Sequence, residues 1–309
     1  MLYPSLMPDL IGIPAGPAES VAIASRAGFV GLDIRFNKFA TQIEKLDTEA
    51  FADAMAAAGL RPGYSSITPQ KLNVPEDEWI REMTDVPRRA RLAQALGYRR
   101  ATSVVVPFHE TMEFDENLAF HARRAREAAN LLGDFGISFG MEYVSPKTRW
   151  HGLGHEFVHD LAGMHALLDA VGRPNVGVML DSFHWACAQE TADDLRTLKP
   201  EQVIAVHVCD LLADTPLDEQ DVRFRASPGE TGGVDMNTFL RTLAEIGYDG
   251  PISAEPTHPT WKEKPADESA MITARAIRGC FDRAGIPVPS PSHDRGGAEL
   301  AGRDKGTES

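Results

Sequence analysis

The sequence predicts a single-domain α/β fold, a (β/α)8 TIM barrel, because strand-like and helical patterns alternate along most of its 309 residues. Eight apolar runs of strand length are separated by amphipathic helical stretches. Several of these runs are rich in β-branched residues and do not alternate with polar ones, which is typical of strands covered on both faces. An open, doubly wound sheet is the alternative that this pattern leaves.

The predicted strands lie near Gly12 and at 30–36, 61–67, 102–108, 137–144, 177–183, 203–209 and 252–255. Between them, segments such as TEAFADAMAAAGL and ENLAFHARRAREAANLLGDFG place apolar residues every three or four positions, as amphipathic helices do. Six glycines follow helical patterns and precede strands, which predicts left-handed helix C-caps. They are Gly28, Gly59, Gly97, Gly136, Gly172 and Gly247.

The repeats fill residues 1–286, and we expect one barrel domain over that range. Residues 287–309 are rich in Pro, Ser, Gly and charged residues and poor in large apolar ones. Such a composition cannot bury enough apolar surface to offset the entropy of ordering the chain. We therefore expect a disordered C-terminal tail.

The net charge of −14 repels phosphate backbones and anionic membrane surfaces. Nucleic acid and membrane are therefore poor candidate partners, whereas a neutral small-molecule sugar or polyol carries no such penalty and a divalent cation is attracted. Cys187, Cys209 and Cys280 form no C-x-x-C pair, and their odd number is unlike a disulfide scaffold. The N-terminal apolar stretch has no preceding basic residue, so we expect a cytoplasmic protein.

Four chemically active side chains stand at the ends of four separate predicted strands: Glu142 in SFGMEYV, Asp181 in VGVMLDSFHW, His207 in VIAVHVCD and Glu255 in PISAEPT. A parallel barrel gathers the C-terminal ends of its strands on one face. Three carboxylates and one imidazole meeting there would bind a divalent cation. Taken singly, each carboxylate has the alternative of being a helix N-cap or a surface charge. The alternative for the histidine is a core residue that is hydrogen-bonded to a backbone carbonyl.

Four segments, LDSFHW, AVHVCD, RASPGETGGVD and ISAEP, resemble the sugar isomerase and epimerase family built on the xylose-isomerase-like barrel. The nearest likenesses within it are inosose isomerases and ketose 3-epimerases. The resemblance implies one divalent metal ion, Mn2+ first, with Mg2+, Co2+ or Zn2+ as alternatives, and a homo-oligomer. The residues that match the family's metal ligands are Glu142, Asp181, His207 and Glu255. His184 and Arg225 match residues that contact substrate oxygens.

Such a site predicts an isomerase or epimerase of a ketose or inosose. The metal would stabilise the enediolate formed when the carbon beside a ketone loses its proton. Glu142 and Glu255 are the predicted catalytic acid and base. A lyase that dehydrates an inosose, or eliminates an aglycone from an oxidised glycoside, would begin with the same proton removal. A DNA-repair endonuclease on a related barrel is disfavoured by the net charge of −14.

The segment SPKTRWHGLGHEFVH after Glu142 is long for a barrel connection, and long loops on this face commonly determine specificity. Lys147 within it is predicted to hydrogen-bond a substrate oxygen. A lysine exposed to solvent is the alternative.

Overall fold

Eight parallel strands close into a barrel in the computed structural model, which describes residues 1–290. Each strand pairs with the strands before and after it in the sequence, and the last pairs with the first. The predicted (β/α)8 barrel is thereby confirmed and the open sheet is excluded. The barrel strands are β1 (Tyr3–Leu6), β2 (Gly31–Arg35), β3 (Arg61–Ser66), β4 (Arg100–Val104), β5 (Ser138–Glu142), β6 (Val176–Asp181), β7 (Val203–Val208) and β8 (Pro251–Ala254).

Helices surround the barrel and bury their apolar faces against it, and every residue of β6 and β7 is buried. The helices of the described residues are α1 (Pro17–Ala27), α2 (Phe36–Lys45), α3 (Thr48–Ala57), α4 (Glu76–Ala95), α5 (Phe114–Gly133), α6 (Leu161–Val171), α7 (Ser182–Cys187), α8 (Ala192–Leu195), α9 (Met236–Glu245) and α10 (Ala266–Ala284). Short 3-10 turns lie at Pro8–Ile11, Lys147–Arg149, Pro200–Gln202, Leu217–Glu219 and Pro259–Glu263. A two-stranded antiparallel ribbon joins Phe108–His109 to His155–Glu156.

The predicted first strand near Gly12 is wrong. Gly12 has a φ of 75° and caps the 3-10 turn Pro8–Ile11, whereas the strand is the earlier segment Tyr3–Leu6. Pro4 lies inside that strand, although proline lacks the N–H that a central strand normally donates. The strand keeps its pairing because the carbonyl of Pro4 accepts a 3.0 Å bond from the amide of Val30.

The glycine prediction is confirmed. All six glycines that follow helical patterns have a positive φ, between 60° and 87°. Because a side chain disfavours this backbone conformation, glycine at these positions ends each helix and turns the chain toward the next strand.

None of the helices in residues 1–290 combines the length and apolar character that a membrane crossing requires. The three cysteines are free thiols. Residues 291–309, which make up most of the predicted disordered tail, lie outside the described residues, so that expectation stays a prediction.

Candidate metal centre

The strand register brings the four predicted ligands to one mouth of the barrel. Asp181, the last residue of β6, pairs directly with His207 of β7. Glu142 ends β5, and Glu255 follows β8, where its amide donates to the carbonyl of Val208 at 3.1 Å. The convergence expected from the strand ends is therefore present, and we call these four residues the candidate metal centre.

The four side chains offer one ligand atom each, and these atoms lie within 4.8 Å of one another. Nδ1 of His207 lies 3.1 Å from Oε2 of Glu255 and 3.6 Å from Oε1 of Glu142. That Glu142 oxygen is buried and has no hydrogen-bond partner among the described residues. A buried carboxylate oxygen without a partner is costly, and a cation removes the cost. The donor set of three carboxylates and one imidazole fits a divalent metal ion, while the ligand roles themselves stay predictions.

Arg225 completes the charge pattern of the centre. Its Nη1 donates to Oδ2 of Asp181 at 2.7 Å and to Oε2 of Glu255 at 2.6 Å. The guanidinium is buried and lies 4.7 Å above the ring centroid of Phe183. A planar, permanently charged arginine suits such a position because it can bind two carboxylates at once.

Sequence reasoning missed two residues beneath the centre. The hydroxyl of Tyr64, in β3, lies 2.7 Å from Nε2 of His207. Asp33, buried in β2, accepts hydrogen bonds from Ser5 Oγ at 2.7 Å and from the Tyr64 amide at 2.9 Å. Burial raises the pKa of Asp33 to about 6, against the hydrogen bonds it receives. The only sequence signal for either residue is a polar group inside a predicted strand.

Burial and neighbouring charges shift the two glutamates in opposite directions. Burial raises the pKa of Glu142, and the charges of Glu255 and Asp181 raise it further against the effect of His207. Burial alone would raise the pKa of Glu255, but the charges of Arg225 and His207 hold it well below its usual range. Carboxylates with separated pKa values are the usual requirement for acid and base partners.

A cavity of about 450 Å3 opens above the centre, a size suited to a small molecule. Glu142, Glu255, Arg225 and His184 all line it. His184 is buried, and its Nδ1 accepts the amide of Ser145 at 3.3 Å. Burial lowers the pKa of His184 to about 4, so the imidazole is neutral at pH 7. The rest of the lining is Lys71, Asn73, Val104, Val106, Pro107, Phe108, Val144, Arg149, Val222 and Thr257.

Lys147 does not line this cavity. Its Nζ lies 2.7 Å from Oδ2 of Asp218, and its side chain is 46% exposed. Two other cations that the sequence analysis did not single out, Lys71 and Arg149, line the cavity instead. The predicted contact of Lys147 with substrate stays a prediction, and its position leaves it unsupported.

Comparison with known proteins identifies the family. Residues 21–280 match the sequence profile of the Xylose isomerase-like TIM barrel family. The chain therefore belongs to that family, as its motifs predicted.

Curated relatives are enzymes named for isomerisation, epimerisation or dehydration. An inosose isomerase of Bacillus velezensis is 24% identical over 189 residues, which are 60% of this chain and 64% of that protein, under two thirds of its length. A ketose 3-epimerase of Arthrobacter globiformis is 28% identical over 128 residues, 41% of this chain and 37% of that one. A 3-dehydroshikimate dehydratase of Pseudomonas putida is 29% identical over 116 residues, 36% of this chain and 18% of that one.

Solved structures share the fold. A xylose isomerase domain protein from Alicyclobacillus acidocaldarius superposes with a TM-score of 0.82 at 29% identity, covering 92% of this chain and all (100%) of that one. The IOLI protein, solved with a bound zinc atom, has a TM-score of 0.72 at 17% identity and covers 92% of this chain and 98% of its own.

Proposed function

We propose that this protein is a divalent-metal-dependent isomerase or epimerase of a small polyhydroxylated ketone, a ketose or an inosose. The observation that carries the proposal is the meeting of three carboxylates and one imidazole within 4.8 Å, two of which, Glu142 and Glu255, line the cavity. The names of the curated inosose isomerase and ketose 3-epimerase support the same chemistry.

Glu142, Asp181, His207 and Glu255 would hold the metal ion. When bound there, it supplies a Lewis acid that polarises the substrate's ketone oxygen. We expect Mn2+, with Mg2+, Co2+ and Zn2+ as alternatives, and the zinc atom of the solved IOLI protein supports a divalent ion.

The chain's own groups carry the proton transfers. Glu142 and Glu255 lie at the ends of different strands and both line the cavity, and in this proposal they flank the bound substrate. One carboxylate takes the proton from the carbon beside the ketone, which leaves an enediolate. The other returns a proton to the opposite face of that carbon, which gives the epimer, or to the adjacent carbon, which gives the isomer.

His184 and Arg225 orient the substrate. A neutral His184 imidazole can donate to or accept from a hydroxyl. Arg225 presents a positive charge to a hydroxyl or a developing oxyanion while it holds Asp181 and Glu255 in place.

A lyase is the second candidate, and the relative named 3-dehydroshikimate dehydratase favours it. The first step would be the same removal of a proton beside a carbonyl. Departure of a hydroxyl or an aglycone from the neighbouring carbon would replace the return of the proton.

The test starts with elemental analysis of the purified protein. The protein is then incubated with ketoses, inososes and oxidised glycosides in deuterated water and followed by proton NMR. Deuterium beside the carbonyl of an isomeric product supports the isomerase or epimerase, and loss of water or aglycone supports the lyase. A metal-loaded protein that exchanges no proton in any of these ketones contradicts both.

A further inference from the structure

We propose that the outer part of the cavity binds an oxyanion on the substrate, a carboxylate or a phosphate, through Lys71 and Arg149. The inference rests on the proposed function, because it narrows the substrate class of the same site from neutral sugars to anionic ones. Both cations line the same cavity as Glu142 and Glu255 of the candidate metal centre. Lys71 is exposed and Arg149 half-buried, whereas the centre is largely buried, so the two cations lie toward its solvent side.

The charges of the cavity leave these two cations uncompensated. The three carboxylates of the candidate metal centre are balanced by one divalent ion together with the positive charge of Arg225. The side chains of Lys71 and Arg149 then remain, and neither has a hydrogen-bond or ion-pair partner among residues 1–290. The pKa of Asp221 is lowered mainly by its hydrogen bonds with Arg223, and the charge of Arg149 lowers it further. Arg223 already binds both Asp221 oxygens, at 3.0 and 2.8 Å, so Asp221 does not neutralise Arg149.

The backbone that carries Lys71 is held firmly. The amide of Leu72 donates to the carbonyl of Val104 at 3.2 Å, and the amide of Val104 donates to Gln70 at 2.7 Å. From α5, the buried Arg124 donates to the carbonyls of Leu72 at 2.7 Å and Val74 at 2.6 Å. Leu72 is fully buried, so the backbone at Lys71 is anchored at the cavity wall, while the Lys71 side chain is exposed.

Arg149 stands between two anchored neighbours. Thr148 donates its hydroxyl to the carbonyl of Gln220 at 2.8 Å, and the indole N–H of Trp150 donates to the carbonyl of Ser145 at 2.8 Å. The Trp150 ring also stacks on His159 with centroids 4.1 Å apart. A guanidinium on so well anchored a turn, with no hydrogen bond or ion pair to the described part of the chain, is preorganised for a charged ligand.

The net charge of −14 favours neutral substrates in the bulk field. The cavity reverses that preference locally, since its wall places two cations that are unpaired among residues 1–290 beside a centre that one divalent ion would neutralise. Apolar side chains, including Val106, Val144 and Val222, form another part of the wall and suit the carbon skeleton of a sugar.

The experiment compares three ketohexoses that differ only at carbon 6: D-fructose, D-fructose 6-phosphate and D-fructuronate. Their affinities for the metal-loaded protein are measured by titration calorimetry, which does not depend on turnover. The variants are Lys71→Met and Arg149→Met. Matched controls are Lys199→Met and Arg173→Met, which remove the same charges next to the starts of β7 and β6, at the opposite end of the barrel.

We expect at least one charged sugar to bind about tenfold tighter than D-fructose, as one or two charge-assisted hydrogen bonds allow. Lys71→Met and Arg149→Met should each remove most of that preference without weakening D-fructose, and the controls should keep it. The charged sugar that binds more tightly than D-fructose shows whether the subsite takes a phosphate or a carboxylate. Equal affinity for all three sugars, or no binding of either charged sugar, overturns the subsite. An equal loss of the preference for the charged sugar in the control variants overturns it as well. If the protein exchanges protons in neutral ketones but does not prefer charged sugars, the proposed function stands and the subsite fails. If it binds a charged sugar tightly but exchanges no proton in any ketone, the subsite stands and the proposed function fails.

Discussion

The hydroxyl oxygen of Tyr64 lies 2.7 Å from Nε2 of His207, and the two rings meet edge to face with centroids 5.3 Å apart. Because Nε2 is engaged, Nδ1 is the ring nitrogen that faces the carboxylates of Glu142 and Glu255. A hydrogen bond to the outer nitrogen of a ligating histidine fixes the ring orientation and tautomer. Tyr64 is thus placed to position His207 for a metal without touching the metal itself.

Tyr64→Phe should weaken divalent metal binding by about 10- to 100-fold, which is the usual effect of losing such a supporting bond. Titration of the metal-free protein with Mn2+ and with Zn2+ measures it. The matched control is Tyr98→Phe, which removes another buried hydroxyl, bonded to the carbonyl of Leu32 at 2.8 Å and outside the centre. The control should lose stability and keep its metal affinity. Equal metal affinities in Tyr64→Phe and the unmodified protein would show that His207 needs no support.

Glu255→Gln should lower turnover on the order of 10²- to 10⁴-fold while the barrel stays folded, because the amide cannot exchange a proton as a carboxylate does. Turnover of the metal-loaded variant is measured on the ketone that exchanges its proton fastest, with circular dichroism as the check on folding. Glu127→Gln is the control, since that exposed glutamate binds the indole of Trp79 on the outer helices. Full turnover in Glu255→Gln would show that Glu255 is neither the catalytic acid nor the catalytic base.

The pH dependence of stability should contain a contribution from His121. Burial lowers the pKa of this histidine to about 4, from 6.5. The unfolded chain therefore binds a proton that the folded chain does not, so the contribution is full above pH 6.5 and is lost as the pH falls toward 4. The shift corresponds to about 3 kcal/mol at the acid end.

His121→Phe tests that contribution. The replacement keeps the ring contact with Phe157, whose centroid lies 4.8 Å away, and removes the titrating group. Urea unfolding from pH 4 to 7 should give a stability difference between the two proteins that shifts in favour of the variant as the pH falls. Asp33 and Glu190, whose pKa values burial raises, work in the opposite direction but are present in both proteins. A difference independent of pH would contradict the prediction.

The sequence was sufficient where local chemistry decides the outcome. The helix-ending glycines and most of the strands follow from backbone preference and from apolar runs. The four residues of the candidate metal centre were found because strand ends converge in any parallel barrel. The first strand was missed because Pro4 contradicts the local rule, and pairing with both neighbouring strands overrides it.

Residues whose role depends on the register between distant segments could not be found in this way. Tyr64 is an ordinary strand aromatic until the fold brings it to His207, which is 143 positions away. In the sequence, Lys71 and Arg149 look like ordinary solvent-exposed charges. Lys147, two residues from Arg149, is the cation that the sequence predicts to contact the substrate. The anchoring of Thr148 and Trp150 decides which cation faces the cavity, and that depends on tertiary contacts.

Gly177 links the register of the barrel to the candidate metal centre, and its replacement tests that link. A Cβ on Gly177 in β6 would lie 2.1 Å from the carbonyl oxygen of Gln202, a backbone atom next to the start of β7. The clash cannot be relieved by a rotating side chain, so Gly177→Ala must push β6 away from β7. The same two strands pair Asp181 with His207. We expect a loss of about 1–3 kcal/mol of stability from overpacking, together with weaker metal binding.

Gly136→Ala is the matched control for Gly177→Ala. Gly136 has a φ of 65°, and a Cβ there would meet nothing within 4 Å. Its replacement should therefore cost about 1–2 kcal/mol for the left-handed backbone and leave metal binding unchanged. Denaturant unfolding and metal titration of both variants separate the two effects, because only the change at the β6–β7 contact can move two ligands relative to each other. If Gly177→Ala loses stability alone, the pairing of Asp181 with His207 does not control the metal site.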